Sequence, residues 1–507
     1  MTVIHNPVLP GAHPDPSILR VGDDHYLATS TFEWYPGVRI HHSRDLVHWR
    51  PLGGVLGDRR LLDLTGVPDS GGVWAPDLTY ANGRFHLVYG VVDNYAAGFK
   101  DVANFLVTAS TIDGPWSDPV PLPGRGFDAA LFHDEDGSTW LLGMVFDSRP
   151  GHGFAGIDLQ RLDDDGRAAG EPVRIFEGTE IGVAEGPHLY RADGWYLLLF
   201  AEGGTGYEHG ARTARSRSLL GPYEPDPAGP LLTSRHDPDL ALQKAGHGCL
   251  VHLSSDEWYL AHLCARPYSP RGRCVLGRET ALQRVEWVDG WPRVPGGVPA
   301  VTVPAPRLPS APALPPPKDG VAWSTLRRPA TPDWVRFEND RITVRGGQSP
   351  YGLRAPSLVA RPVTAARSTL SAVVDFLPGS VHQAAGLTAY YNTRNWCFLA
   401  LTTDGLVLTV SDRGRRTAHP VAAGTPRRVG LRLELDGPVL RAAWDAGDGW
   451  TPIPHEVDAT ILSDENADEF IDGQVRTFGF TGAFAGLWVQ DLASEGAEAV
   501  FDEVAYR

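Results

Sequence analysis

The sequence predicts an all-β protein in which a five-bladed β-propeller is followed by a β-sandwich. Five related segments succeed one another at intervals of about fifty to sixty residues within the first three hundred residues. Self-similarity at such a period is typical of a propeller with one hairpin-rich blade per repeat. Long helical patterns are absent, and a chain of 507 residues is too long for one ordinary core. Two β domains are therefore expected.

The five segments share one register, in which a polar or aromatic residue precedes a second aromatic residue by about eleven positions. A Gly/Asp-rich turn separates the two, and runs such as RFHLVYG and GWYLLLF alternate as strands do. Because the innermost strands of a propeller converge on one axis, the first members of the pairs should surround one opening. Three carboxylates, an indole and an imidazole there indicate an active site in a propeller of residues 1–291. The pairs are Asp15 and Tyr26, Trp74 and Phe85, Asp128 and Trp140, Glu185 and Tyr196, and His247 and Trp258.

A connector is predicted at 292–319, because ten of the 26 residues from Pro292 to Pro317 are proline. Such a stretch is semi-rigid and extended, without a core of its own. Over 320–507, runs such as STLSAVVDFLP and RRVGLRLELDG recur with turn signals at a spacing of roughly ten residues. This spacing predicts a β-sandwich.

Charge and composition exclude several classes of partner. The 45 basic and 61 acidic residues leave a net charge of -16, which argues against nucleic acid and anionic membranes but suits a neutral sugar. The start MTVIHNPVLPG has no secretory pattern, and no apolar run is long enough for a membrane helix. Four cysteines without metal-ligand spacing are expected to be free thiols, with one disulfide among the first three as the alternative. A cytoplasmic protein is predicted.

The three acidic residues of the register are candidates for catalysis. Asp15 lies between two prolines that restrict its backbone, whereas Asp128 is the one charge in a small, apolar stretch and Glu185 is followed by Gly186. Each could be a turn or surface residue alone, but a shared blade position favours a common site. Glycoside hydrolysis needs one carboxylic acid for the leaving oxygen and one carboxylate for water or direct attack. These residues alone leave the division of roles open.

The run HPDPSILRVGDDHYLATSTFEWYPGVRIHHSRDLVHW, with VWAPDL, GFDAALFHDEDG, AEGPHLY and GRET, resembles glycoside hydrolase family 43. The likeness is to its two-domain β-xylosidases, and it implies a sandwich of the jelly-roll or concanavalin-like kind. Carried over, Asp15 would be the general base, Glu185 the general acid, and Asp128 the residue that orients the acid and adjusts its pKa. The family inverts configuration, which implies about 6.5–9.5 Å between the base and acid carboxyl groups.

The resemblance also implies a sugar pocket. Phe32 and Trp74 would line it, and Arg278 would bind the terminal sugar and reach the pKa-adjusting carboxylate. Phe484 would extend from the sandwich and narrow the propeller mouth. The alternatives are a core tryptophan at Trp74, a blade-closing salt bridge at Arg278, and sandwich core at Phe484. His247 would lie beneath the sugar as a structural residue or as support for a hydrated calcium ion, although no carboxylate cage is evident in the sequence.

These observations predict an inverting, exo-acting hydrolase that releases xylose from non-reducing ends of β-1,4-xylo-oligosaccharides and requires no cofactor. The alternative is an α-L-arabinofuranosidase, alone or as a second activity of the site. A catalytically silent sugar-binding propeller is disfavoured by intact acids in all three positions. The fructan-hydrolysing five-bladed families are disfavoured because HPDPS lacks their Trp-Met-Asn-Asp-Pro-like start. The resemblance further implies dimers or tetramers.

Overall fold

The structure, a computed structural model, describes residues 2–308, 320–338, 340–424 and 426–507. Within these ranges the first part forms five antiparallel sheets of four or five strands, the blades of a propeller. Blade one consists of Ser17–Val21, Asp24–Thr29, Gly37–Ser43 and Arg50–Leu56. Blade two consists of Gly72–Val73, Asp77–Ala81, Arg84–Asn94, Asp101–Ala109 and Val120–Leu122. Blade three consists of Ala130–His133, Thr139–Phe146, Phe154–Leu162 and Ala168–Phe176. Blade four consists of Glu185–Ala192, Trp195–Glu202, Gly210–Ser216, Glu224–Pro225 and Leu232–Thr233. Blade five consists of Gln243–His252, Trp258–Ala265, Glu279–Val288 and Trp291–Arg293.

The Gly/Asp-rich turns of the five register pairs close the inner hairpins of the blades. In blade four, Asp193 and Gly194 both have left-handed backbones, with φ of 51° and 72°. Two such residues match the right-handed twist of the flanking strands and set their pairing. The aromatic that ends each register packs between blades, as the rings of Tyr26 and Phe85 do at 5.7 Å. The repeat is therefore both a turn signal and a packing signal.

The amino-terminal segment joins blade five to the start of the propeller. Leu9 and Thr280 exchange backbone hydrogen bonds of 3.2 Å in both directions. The strand Val3–His5 pairs with Thr302–Pro304, and Val303 is buried in the core beneath them. The first part of the predicted connector thus belongs to the propeller, because its apolar residues pack there. Residues 309–319 of that connector lie outside the described residues.

The second part is a sandwich of two large antiparallel sheets with a shared apolar interior. The first sheet, in spatial order, contains Arg415–Ala422, Gly405–Asp412, Asn395–Thr402, Gln383–Asn392, Phe484–Asp491, Leu358–Pro362, Ser324–Leu326 and Trp34–Tyr35. The second contains Val335–Glu338, Arg341–Arg345, Glu498–Tyr506, Arg367–Asp375, Arg428–Asp436, Val439–Asp445 and Thr451–Pro452, with Val457–Asp458 beside Val439–Asp445. A separate hairpin is formed by Glu469–Ile471 and Gln474–Thr477. The predicted all-β architecture is confirmed.

The two domains share a sheet, since Trp34–Tyr35 of the propeller pairs with Ser324–Leu326 of the sandwich. Helix in the described ranges is limited to Pro295–Gly297, Ala459–Leu462 and Asp464–Ala467. None of the helices in this part of the chain is long and apolar enough to span a membrane. All four cysteines are buried free thiols. The shared sheet brings sandwich loops against the mouth of the propeller.

Candidate active site

One cavity of about 490 Å³ lies where the five blades begin and is lined by both domains. The first residue of every register pair contributes to its wall: Asp15, Trp74, Asp128, Glu185 and His247. These five, the axial residues, are between 5% and 8% exposed. The convergence expected from the repeat is thus observed in the structure.

Three of the axial residues share an unusual backbone. Asp15, Asp128 and His247 have left-handed φ of 54°, 56° and 37°, and Phe32 beside them has 51°. This conformation is uncommon outside glycine and concentrates at functional sites, where surrounding structure compensates its cost. The same backbone in three blades turns three side chains to the same cavity.

Asp15 is surrounded by groups that stabilise its negative charge. The Ser30 hydroxyl donates to Oδ2 at 2.7 Å, and Arg278 Nη1 lies 3.6 Å from Oδ1. Burial alone would raise the pKa of Asp15, but Arg278, His247 and Ser30 together hold that pKa below its usual value. Asp15 is therefore an ionised carboxylate at neutral pH.

The pKa values of Glu185 and Asp128 are raised, in contrast to that of Asp15. Burial, with the negative charge of Asp15, raises the pKa of Glu185 to about 7. Burial, with the charges of Glu185 and Asp15, raises the pKa of Asp128 well above its usual range. Gly186 N–H donates to Asp128 Oδ2 at 3.0 Å, whereas Glu185 Oε1 is buried without a hydrogen-bond partner. Glu185 also lines the cavity, so its carboxyl group can reach a bound substrate.

His247 lies between the acids as a neutral ring. Its Nδ1 is 3.8 Å from Asp15 Oδ1 and 4.0 Å from Asp128 Oδ2. Burial lowers its pKa to about 4, so these contacts are not ion pairs at neutral pH. A Cβ at Gly186 would lie 2.8 Å from the ring, which explains the glycine after Glu185.

The surroundings of His247 do not fit a calcium ion held by protein ligands. Ca²⁺ takes about six to eight oxygen ligands, and His247 contributes an imidazole nitrogen. Among the described residues, no three His, Cys, Asp or Glu side chains are grouped so that they could hold a metal. The carboxylates nearest His247 are those of the candidate catalytic set.

An aromatic wall faces the carboxylates. Trp74 is fixed by a 2.9 Å hydrogen bond from Nε1 to the Ser70 carbonyl, and its ring meets Phe127 edge-on at 5.0 Å. Phe32 also lines the cavity and is 3% exposed. Trp74 and Phe32 are therefore pocket residues, as the resemblance implies, although both also pack in the apolar cluster around them.

Phe484 does not line the cavity, so the expectation for this residue is wrong. It begins an inner strand of the sandwich and stacks on Trp34 at 4.1 Å, 4% exposed. Phe478 and Phe480, just before that strand, line the cavity instead. Strand pairing holds Phe484 inside the sheet, whereas the preceding loop is free to reach the propeller. The run TFGFTGAF offered three phenylalanines, and only their placement distinguishes them.

Arg278 connects the loop to the acids. Its guanidinium lies 4.5 Å from the centre of the Phe480 ring, and Nε donates to the Phe480 carbonyl at 3.1 Å. Its carboxylate neighbour is Asp15; no contact within 4.0 Å joins it to Asp128 in the described ranges. The charge of Arg278 also acts on Asp128 and opposes the rise in the pKa of that carboxyl, so the expected reach toward Asp128 stays a prediction. The neighbouring Glu279 is structural, bonded to Arg266 by two 2.7 Å hydrogen bonds.

Four charged wall residues had no signal in the sequence. Lys244 bonds Glu465 at 2.6 Å and lies 3.6 Å from Asp464, which brings the sandwich to the cavity. Asp468 of the sandwich and Lys100 of the propeller also line it. None belongs to the repeat, so no spacing could indicate them.

Comparison with known proteins agrees with this geometry. The Glycosyl hydrolases family 43 profile matches residues 4–292, and a Beta xylosidase C-terminal Concanavalin A-like domain profile matches 316–507. Xylosidase/arabinosidase 43B of Humicola insolens is 42% identical over 540 residues, 100% of this chain and 98% of the relative. Xylan 1,3-beta-xylosidase of Vibrio sp is 39% identical over 537 residues, 100% and 99% of the two chains.

A crystal structure of xylan beta-1,4-xylosidase from Bacillus Halodurans C-125 superposes with a TM-score of 0.94 at 43% identity, over 99% of this chain and 100% of that one. Family profiles therefore match both domains, and the similarity to known enzymes extends over the full length. The chain is a glycoside hydrolase and belongs to glycoside hydrolase family 43.

Proposed function

We propose that this enzyme is an inverting, exo-acting hydrolase that releases xylose from the non-reducing ends of β-1,4-xylo-oligosaccharides. The observation that carries the proposal is that the pKa values of two carboxyl groups in one cavity are shifted in opposite directions. Asp15 is ionised, while the pKa of Glu185 is raised to about 7. Carboxyl groups whose surroundings separate their pKa values in this way divide into a base and an acid.

In the proposed reaction Asp15 takes a proton from a water molecule, which attacks the anomeric carbon of the terminal sugar. Glu185, which lines the cavity, gives its proton to the glycosidic oxygen, and the second sugar leaves as an alcohol. Asp128, bonded to Gly186 N–H, holds the segment that carries Glu185. Attack by water without a covalent intermediate inverts the anomeric configuration.

The remaining wall residues suit a sugar ring. The faces of Trp74 and Phe32 pack on apolar C–H groups and exclude water. Arg278 directs a permanently charged donor to vicinal hydroxyls. No step of the proposed reaction is routed through a metal, and the hydrated calcium ion beneath the sugar stays a prediction.

The sandwich favours action at chain ends. Phe478 and Phe480 reach the cavity from the sandwich, as do Asp464 and Asp468. A pocket closed on this side admits the end of a chain rather than its middle. This supports exo cleavage of short oligosaccharides.

The names of the relatives support xylose as the terminal sugar, and one of them favours a second candidate. The Humicola insolens relative is named a xylosidase/arabinosidase, so α-L-arabinofuranosidase activity of the same site is the alternative. The Vibrio relative is named for 1,3-linked xylan and the Bacillus structure for 1,4-linked xylan. We favour the 1,4 linkage because the Bacillus structure has the higher identity, 43% against 39%.

Matched substrates test these choices. We expect kcat/KM for 4-nitrophenyl β-D-xylopyranoside to exceed that for 4-nitrophenyl α-L-arabinofuranoside, and β-1,4-xylobiose to be cleaved faster than β-1,3-xylobiose. Negligible xyloside cleavage beside rapid arabinofuranoside cleavage would reverse the assignment. A preference for the 1,3-linked disaccharide would change the assigned linkage but not the assigned terminal sugar.

The cytoplasmic location and the assembly into dimers or tetramers stay predictions from the sequence. Four buried free thiols accord with a reducing compartment.

A further inference from the structure

Lys100 places an ammonium group in an aromatic part of the cavity wall. It lies between the strands Arg84–Asn94 and Asp101–Ala109 of blade two and lines the cavity. Its Nζ is 4.9–5.9 Å from the centres of five rings, within the range of cation–π attraction. The rings are those of Trp74, Tyr95, Phe127 and Phe146 of the propeller and Phe478 of the sandwich.

Lys100 is half-buried, and its ammonium group lacks, within the described ranges, the carboxylate partner that the other lysine of the cavity has. Among the described residues no carboxylate lies within 4.0 Å of Lys100 Nζ, whereas Lys244 of the same cavity bonds Glu465 at 2.6 Å. Burial lowers the pKa of Lys100 to about 8. The group has three N–H donors, and ring faces satisfy its charge without accepting all three as conventional hydrogen bonds. Lys100 is therefore a cationic donor with capacity for an acceptor in the cavity.

The position of Lys100 relative to the acids indicates which sugar it faces. Its charge acts on Glu185, the proposed acid. Lys100 is half-buried, whereas Asp15, the proposed base, is 6% exposed, so Lys100 lies nearer the mouth of the cavity. In an inverting displacement the acid lies on the side from which the leaving sugar departs, and the base lies on the opposite side. In a pocket that takes a chain end, the terminal sugar fills the buried end, where Arg278 contacts Asp15, and the leaving sugar occupies the mouth. Lys100 thus lies on the leaving-group side.

We propose that Lys100 is a specificity-determining residue for the leaving sugar, donating hydrogen bonds from its ammonium group to hydroxyls of the second xylose unit. This inference rests on the proposed function. Phe146 and Phe478, which flank the ammonium, supply apolar surface for the same sugar. Because the contact involves a hydroxylated leaving group, it distinguishes a sugar from a simple alcohol or phenol.

Three substrates with the same terminal xylose and different leaving groups test the proposal. They are β-1,4-xylobiose, methyl β-D-xylopyranoside and 4-nitrophenyl β-D-xylopyranoside. In Lys100→Met, which removes the ammonium group but keeps an unbranched side chain that packs well against rings, we expect kcat/KM for xylobiose to fall about tenfold to hundredfold. The methyl and nitrophenyl glycosides should change by less than about threefold. Lys100→Arg should retain the preference for the disaccharide because it keeps the charged donor.

The three leaving groups separate the competing explanations. A methyl xyloside needs the acid as xylobiose does but offers no second sugar, so equal losses on both would show that Lys100 acts through Glu185 and would overturn the proposal. Equal losses of kcat/KM on all three substrates, or no loss on any of them, would also overturn the proposal. Wild-type enzyme inactive on every xyloside would instead refute the proposed function. If Lys100→Met does not fold, Lys100→Gln serves in the same comparison.

Discussion

Asp15 and Glu185 line one cavity but hold different charges because different groups surround them. Asp15 has Arg278, a hydroxyl and a neutral imidazole beside it, whereas Glu185 has a buried oxygen with no donor and the negative charge of Asp15. The register identifies both as axial, but their separation into base and acid depends on residues from other blades. Ser30 and Arg278 are the groups that make this difference.

The pH dependence of kcat/KM should follow these two groups. Glu185 must be protonated, and its pKa is about 7, so the rate should fall as pH rises through about 7. Asp15 must be ionised, and its pKa is held below 3.8, so the rate should be maintained down to that region while the fold persists. Measuring kcat/KM for xylobiose from about pH 3 to about pH 10, with circular dichroism at each pH as the folding control, checks this. If kcat/KM stayed unchanged up to about pH 9, the proposed role of Glu185 as the acid would be contradicted.

At the scale of elements, the loop before the strand Phe484–Asp491 carries the contact between domains at the cavity. Phe480 contacts Arg278 through both its ring and its carbonyl, and its ring lies 5.6 Å from that of Trp74. Phe484, four positions later, is locked in the sheet against Trp34. Loop and strand therefore have separable functions, although both contain phenylalanine among small residues.

A pair of substitutions tests this separation. Phe480→Ala should lower kcat/KM for xylobiose by about tenfold or more with little loss of stability, because it opens the wall beside Arg278. Phe484→Ala should lower the free energy of unfolding by about 3–5 kcal/mol, because it leaves a cavity in the sheet packing, with little effect on the folded enzyme's kinetics. Kinetics and urea denaturation of both variants check the pair. If Phe484→Ala lowered kcat/KM and Phe480→Ala lowered only the stability, Phe484 would be the pocket residue.

At the scale of the whole molecule, the domains are joined by a buried polar cluster. Arg327 of the sandwich is fully buried; its Nη2 bonds Asp69 Oδ1 at 2.7 Å, and its backbone N–H bonds the Glu33 carbonyl at 2.8 Å. Thr393 of the sandwich also donates to Asp69. Ser70, next to Asp69, accepts the bond from Trp74. The domain contact thus supports the segments that carry Phe32 and Trp74.

Removing the cation from this cluster should destabilise the protein. We expect Arg327→Met to lower the free energy of unfolding by about 3–5 kcal/mol, because Asp69 would remain buried without its cation. The matched control is Arg427→Met, which removes an exposed pair with Asp375 and should leave the unfolding midpoint unchanged. Urea denaturation of both variants gives the comparison, and equal stability of the two would show that the cluster contributes nothing.

The five blades, the order of the domains and the axial residues could be predicted from the sequence. These depend on local periodicity and turn chemistry, which recur in each blade and require no knowledge of distant contacts. The resemblance of the motifs further indicated the family and the three carboxylates. The connector was predicted to lack a core of its own. In the structure Val303 packs into the propeller because it makes an apolar contact with the amino-terminal strand.

The pKa shifts of the acids, the residues that close the pocket and the place of Lys100 are visible only in the folded chain. Each of these depends on groups that meet only after folding: Arg278 beside Asp15, Phe480 on Arg278, and Phe478 over Lys100. Electrostatic shifts and close packing arise from through-space contacts, here between residues up to several hundred positions apart. Periodicity in the sequence indicates the face on which a side chain lies, and the folded chain determines the neighbours that set its chemistry.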